Sequence, residues 1–213
     1  MPLKNGKITM RTRADSLESI HTYCVDTKKR IIYIHAEIDT EQSESFVDFK
    51  MATRAIKNLD YLESISVDPI LLKLISCGGS WDYGMAIYDR IKSSKCHVTC
   101  ESYSFAASMS SIIPQAADKR LIHQNCAFMA HYGTTSHEGD FRSVKHSVDY
   151  YNTTNQTMLK IYADRCVNSP YAKEKGLTVS QVEKFIKSKI EKLTDWWMPP
   201  QDAVYYGFMD EVI

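Results

Sequence analysis

No apolar run in the 213 residues approaches the roughly 18 to 20 that a helical membrane span needs. The opening segment MPLKNGKITMRTR also lacks the continuous apolar core of a secretion signal. A chain with neither is expected to be soluble and cytoplasmic. Net charge is missing too: Lys plus Arg equals Asp plus Glu, 26 each. No overall field therefore draws nucleic acid or an anionic membrane, and neither is expected as a partner. The six cysteines, Cys24, Cys77, Cys96, Cys100, Cys126 and Cys166, show no CxxC pairing. That scatter suits free thiols in a reducing compartment rather than a disulfide framework. CHVTC and HQNC are too sparse for a metal site, and CGGSWDYG matches neither a phosphate loop nor a dinucleotide fingerprint. No metal or organic cofactor is expected.

What is present is a chain of ordinary globular composition, 44% hydrophobic and 24% charged, large enough to bury one core without staples. Residues 1–28 are polar and irregular in pattern and read as an N-terminal arm, mobile at least through Arg13. From 29 to 213 strands and helices alternate. RIIYIHAEI (30–38) and ILLKLIS (70–76) carry the β-branched content of buried strands. Between them Phe46, Phe49, Ala52, Ile56 and Leu59 recur at three- and four-residue steps, the mark of a helix with one apolar face. CGGSWDYGMAIYDRIKSS reads as a strand end, a glycine turn and a helix. CHVTCES is a third strand and AASMSSIIPQAA a helix containing Pro114. KRLIHQNCAFMAHYG gives two short strands around a turn at Gln124-Asn125. Such alternation predicts an α/β fold with crossovers on a largely parallel sheet.

From about 139 to 166 one long helix is predicted, with Phe141, Val144, Val148, Tyr151, Met158 and Tyr162 on a semi-apolar face over about seven turns. It reads as leaving the domain body to pack on a neighbouring subunit, the alternative being a helix folded back on its own domain. NSPYAKEKG reads as a loop. Thr178 and Gln181 stand at capping-box spacing before another helix, and Pro199-Pro200 and Gly207 bracket a last short one.

Taken singly, the chemical candidates have bland readings: Ser108 a helix cap, His131 a structural histidine, Asp195 a cap or surface acid, the double glycine a tight turn. Taken in order, ISCGGSWDYGMAIYD, SFAASMSS, KRLIHQNCAFMAHYG and DWWMPPQDAVYYGFMDEV resemble four successive blocks of ClpP-type serine peptidases. These are the glycine turn, nucleophile helix, histidine strand and acid-bearing C-terminus. The resemblance runs from about Arg30 to Ile213. It implies a ClpP/crotonase-like fold of repeated β-β-α units, with the long helix as the protruding handle that interlocks two stacked rings.

The family's nucleophile falls on Ser108, its general base on His131 and its orienting acid on Asp195. Its oxyanion donors fall on the backbone N–H groups of Gly79 and Met109. Small residues at Ala106 and Ala107 would let the chain turn into a helix whose N-terminus favours negative charge beside Ser108. The implied activity is endopeptidase cleavage of unfolded polypeptides inside a homo-oligomeric chamber, with an ATP-driven (AAA+) unfoldase as a partner by analogy only. Two other readings are a crotonase-like acyl-CoA enzyme and a catalytically idle ring subunit acting as scaffold.

The chain departs from the family pattern in three places. Cys77 replaces a common proline before the double glycine, Tyr132-Gly133 follow the histidine where Gln-Pro is usual, and the segment between His131 and Asp195 is longer.

Overall fold

The computed structural model describes residues 17–35 and 46–213. The described residues open with a helix over residues 17–23 (α1) and a short strand, Val25–Asp26 (β1), paired antiparallel with Ile31–Ile34 (β2). The expected irregular stretch to residue 28 is thus corrected: Asp26 accepts hydrogen bonds from the N–H groups of Lys28 and Lys29, closing a tight turn that composition alone hides. The arm through Arg13, and residues 36–38 of the predicted first strand, lie outside the described residues.

Two crossover units build the sheet. Phe46–Val47 (β3) leads into helix α2 (Phe49–Ile65), capped by the Asp48 side chain on the Met51 N–H, and then β4 (Ile70–Ser76). Gly78–Gly79 (β5) turns away to pair in parallel with β3, helix α3 (Trp81–Lys92) follows, and β6 (Val98–Ala107) returns beside β4. The alternation in β4 shows the logic. Ile70, Leu72 and Leu74 are fully buried while Leu71, Lys73 and Ile75 face the other way; each buried aliphatic side chain contributes about 1.5–3 kcal/mol.

The main sheet runs β1-β2-β4-β6, then β7 (Lys119–Ile122) and β10 (Glu211–Val212). Successive parallel strands added in one direction by right-handed crossovers place α2 and α3 on the same face. On the opposite face of β4 Leu71 and Lys73 are only half-buried and Ile75 is exposed. There Lys73 and His123 surround the buried carboxylate of Glu101, which also accepts from the Tyr103 hydroxyl.

Two expectations are corrected and one is borne out in finer detail. Ala106 and Ala107 end strand β6, and the helix starts only at Met109: α4 spans Met109–Ile112 and continues as a 3-10 turn over Ile113–Ala116. The two short strands expected around the turn at Gln124-Asn125 are present, and they do not pair with each other. β7 pairs with residues 99–102 of β6, and β8 (Ala127–Ala130) pairs with residues 105–107 of the same strand, so the two lie end to end along it. The predicted loop after the long helix contains α6 (Pro170–Lys175), with Ser169 as its N-cap and Gly176 at φ 62° as its left-handed terminator.

The long helix is α5 (Phe141–Cys166), capped by Asp140 on the N–H groups of Arg142 and Ser143. Its two halves differ. Met158, Leu159, Tyr162 and Ala163 are buried, whereas Phe141 is 83% exposed and Val148, Tyr150 and Tyr151 are exposed as well. Helix α7 (Val179–Leu193) opens with the Thr178–Gln181 capping box and buries Val182, Ile186 and Ile190. Strand β9 (Trp196–Met198) and helix α8 (Pro200–Tyr205) lead to the C-terminus. Among the described residues no helix is long and apolar enough to cross a membrane. None of the six cysteines forms a disulfide.

Candidate active site

Sheet register brings Ser108, His131 and Asp195 together. β8 and β9 are antiparallel with Ala130 opposite Trp196. His131 is the first residue past β8 and Asp195 the last before β9, so the two stand across from each other as a continued cross-strand pair. On the other side β8 runs parallel to β6 with Ala107 beside Met129, and the Ser108 N–H donates to the Met129 carbonyl at 3.1 Å. His131 Nδ1 lies 2.9 Å from Asp195 Oδ1, and His131 Nε2 lies 2.8 Å from Ser108 Oγ. An ionised carboxylate can only accept, so Nδ1 carries the proton and Nε2 faces the serine hydroxyl as acceptor. The imidazole is 17% exposed and the Asp195 side chain 48%.

Ser108 has φ 52° and ψ −128°, a backbone conformation disfavoured for any residue with a Cβ. Strain of this kind persists only where the surroundings over-determine it. The surroundings here are the bond to Met129 and a grip on the serine's own carbonyl. That carbonyl accepts from the Ser111 hydroxyl, which also lies 2.6 Å from the buried Tyr162 hydroxyl. The sequence pattern puts Tyr162 on the face of the long helix but does not reveal its link to Ser111; the one available signal is a hydroxyl three residues after Ser108.

The double glycine is there for close approach. A Cβ on Gly78, at φ 116°, would come 2.6 Å from Ser108 Cβ. A Cβ on Gly79, at φ 145°, would come 2.5 Å from the backbone N and O of Val47. Val47 accepts from the Ser80 N–H at 2.9 Å. In a parallel ladder the intervening amide, that of Gly79, turns to the opposite edge, where Gly79 lines the same cleft as Ser108. Met109 is the first residue of α4, so its N–H has no intrahelical partner. The expected helix-dipole contribution is corrected downward, because a single α-helical turn aligns few peptide dipoles.

The cleft has a volume of about 640 Å³ and is floored by Met109, Ile112, Met129 and Met158. Cys77, Tyr132 and Gly133, the three departures in residue type, all line it. Tyr150 of α5 reaches across its rim to donate to Asp82 of α3. Donation to that carboxylate pushes the tyrosine up to about 12.

An α/β sheet whose register sets an alcohol, an imidazole and a carboxylate in one cleft beside a glycine-rich edge defines a hydrolase-like class of site. The comparisons make the class particular. The Clp protease family description matches residues 15–213, and the chain belongs to that family, a family of peptidases. The match starts earlier than the resemblance at Arg30, in keeping with α1 and β1 being part of the fold. The ATP-dependent Clp protease proteolytic subunit of Deinococcus radiodurans is 26% identical over 189 residues, covering 87% of this chain and 81% of the relative. The protein of the same name from Streptococcus pneumoniae is 28% identical over 170 residues, 78% of this chain and 80% of the relative.

Proposed function

We propose that the chain is a serine endopeptidase acting through Ser108, His131 and Asp195. The observation that carries this reading is the unbroken pair of hydrogen bonds from the serine hydroxyl through the imidazole to the carboxylate. In the proposed cycle His131 Nε2 takes the Ser108 proton as Oγ attacks a peptide carbonyl. The oxyanion is held by the Gly79 and Met109 N–H groups. The imidazolium, steadied by Asp195, then protonates the departing amine. Water activated by the same imidazole releases the acyl group from Ser108.

The domain assignment, a peptidase domain over 29–213 to which α1 and β1 also belong, is part of the proposal, as is a cytoplasmic setting. So is assembly into a homo-oligomeric chamber. Two features support assembly: the exposed apolar N-terminal half of α5, and a largely parallel sheet whose β4 leaves Ile75 exposed and Leu71 half-buried on one face, since parallel sheets are ordinarily covered on both sides. The relatives are named as subunits of an ATP-dependent protease. By that analogy an ATP-driven unfoldase would deliver unfolded polypeptide.

A fluorophosphonate probe tests the chemistry. Labelling confined to Ser108 and abolished in Ser108→Ala, with melting temperature unchanged, is the expected result. Tight acyl-CoA binding without labelling would favour a crotonase-like enzyme, and neither response would leave a scaffold subunit.

A further inference from the structure

If Asp195 is the acid of the proposed peptidase, something must aim it. Its carboxylate is about half exposed and, among the described residues, accepts no hydrogen bond apart from that of His131. With no second donor, the aim must come from the backbone on either side. On one side Trp196 is buried in β9, with its ring set edge-on against Phe185, Tyr206 and Phe208. On the other side helix α7 stops at Leu193 and the chain reverses within three residues. Thr194 has φ 64° and ψ −68°, and the Asp195 N–H donates to the Leu193 carbonyl at 2.8 Å.

That is a γ-turn of the positive-φ hand, a rare and strained conformation. A β-branched residue is poorly suited to it. The Thr194 N–H donates back to the Ile190 carbonyl at 2.8 Å, so both peptides flanking the residue are pinned. Helix α7 is itself anchored by Val182, Ile186 and Ile190. Thr194 is exposed, and its hydroxyl makes no hydrogen bond among the described residues. Whatever it contributes, it contributes through its backbone.

We propose that Thr194 is a positioning residue: the γ-turn centred on it, with Trp196 as the opposite anchor, aims the Asp195 carboxylate at Nδ1 of His131. The consequence for catalysis rests on the peptidase reading above, while the geometry does not. A relaxed turn would let a half-exposed carboxylate swing into water, leaving the imidazole free to rotate away from Ser108.

The test compares wild type, Asp195→Asn, Thr194→Pro and the conservative Thr194→Gly in the full chain. Proline forces φ near −65° and removes the N–H that Ile190 holds, whereas glycine accepts positive φ freely. Because Thr194→Pro could disturb folding, a fifth form carries one glycine inserted between Thr194 and Asp195, which dissolves the γ-turn without imposing any forbidden angle. Two quantities are read: the rate of fluorophosphonate labelling at Ser108, and the downfield proton resonance of the hydrogen-bonded His131 Nδ1–H.

The expected result is that Thr194→Pro and the insertion slow labelling about 100-fold, toward Asp195→Asn, and lose the downfield proton. Thr194→Gly keeps the proton and labels within about threefold of wild type, the rescue expected of a turn that glycine can adopt. Wild-type labelling in the insertion form would overturn the proposal. So would slow labelling with the proton retained, because the damage would then lie elsewhere. If wild-type Ser108 itself does not label, the peptidase reading fails. The proton resonance, lost or kept across the same forms, still decides whether Thr194 sets the contact.

Discussion

Two aspartates near the C-terminus each pair with a basic side chain on, or one residue past, a strand flanking β6, and they are held in opposite ways. Asp210 accepts from the Arg120 backbone N–H and Nε through one oxygen and from Nη2 through the other. Arg120 also donates to Gln115 and to the carbonyls of Gly207 and Phe208, and its side chain is 6% exposed. The Asp195 carboxylate is 48% exposed and has one hydrogen-bond partner among the described residues, His131. A fully satisfied buried network fixes structure. A sparsely bonded carboxylate can hold the imidazole in place while the ring takes up and releases the Ser108 proton, as the proposed general base must do on every turnover. The contrast predicts a double dissociation: changes at Asp195 should remove chemistry and spare stability, and changes at Asp210 should do the reverse.

The largest effect expected is on the chemical side. Asp195→Asn should lower kcat for peptide hydrolysis by about 10⁴-fold, because an amide at that place favours the wrong imidazole tautomer. Its melting temperature should stay within about 2 °C of wild type, since a single half-exposed hydrogen bond contributes little to stability. A large loss of stability would erase the distinction between the two aspartates. Next in size, Gly79→Ala should lower kcat by about 10²- to 10³-fold, the usual effect of losing one oxyanion donor. The physical cause is a Cβ 2.5 Å from the Val47 backbone, which must displace either β3 or the glycine amide. Unaltered kcat in this variant would place the oxyanion elsewhere.

Much of this was legible along the chain, and the exceptions share a cause. Local patterns located β4, α3, α5 and α7, because a buried face repeats over several turns or alternates over several residues. The short α6 escaped because it buries only Ala172, too little for a periodic signal, although Ser169, Pro170 and Gly176 were its visible caps. The arrangement of β7 and β8 escaped because both choose β6 over each other, a long-range decision that a turn at Gln124-Asn125 cannot reveal. Ser108, His131 and Asp195 could be picked out from the order of four motif blocks, yet their meeting depends on two sheet registers that no single block encodes. The positive φ at Thr194 could not be read at all, since its residue type argues against it.

The smallest effect concerns the other aspartate and sharpens the comparison through pH. Burial alone would raise the Asp210 carboxyl, but hydrogen bonds from Arg120 and its charge outweigh burial and hold the group below its ordinary value. A carboxyl depressed in the folded state contributes stability that is present above its unfolded value, near 3.9, and is lost as pH falls through the lower folded value. Asp210→Asn should therefore cost about 2 kcal/mol at neutral pH, because the buried Arg120 guanidinium keeps its neutral acceptors but loses its counter-charge, while the one-third exposure of the carboxylate screens part of the pair. For a domain of this size that is a fall of about 4–8 °C in Tm. The gap between variant and wild type should hold from pH 8 to about 5 and narrow below about pH 4, where the wild-type carboxyl takes up its proton. Other depressed carboxyls, such as Glu63 and Glu101, titrate in both forms and cancel in the difference. Ser108 labelling measured well below the melting range should not change in Asp210→Asn. A gap that persists unchanged to pH 2 would mean that Asp210 acts by shape and not by charge, and the two aspartates would then differ in burial alone.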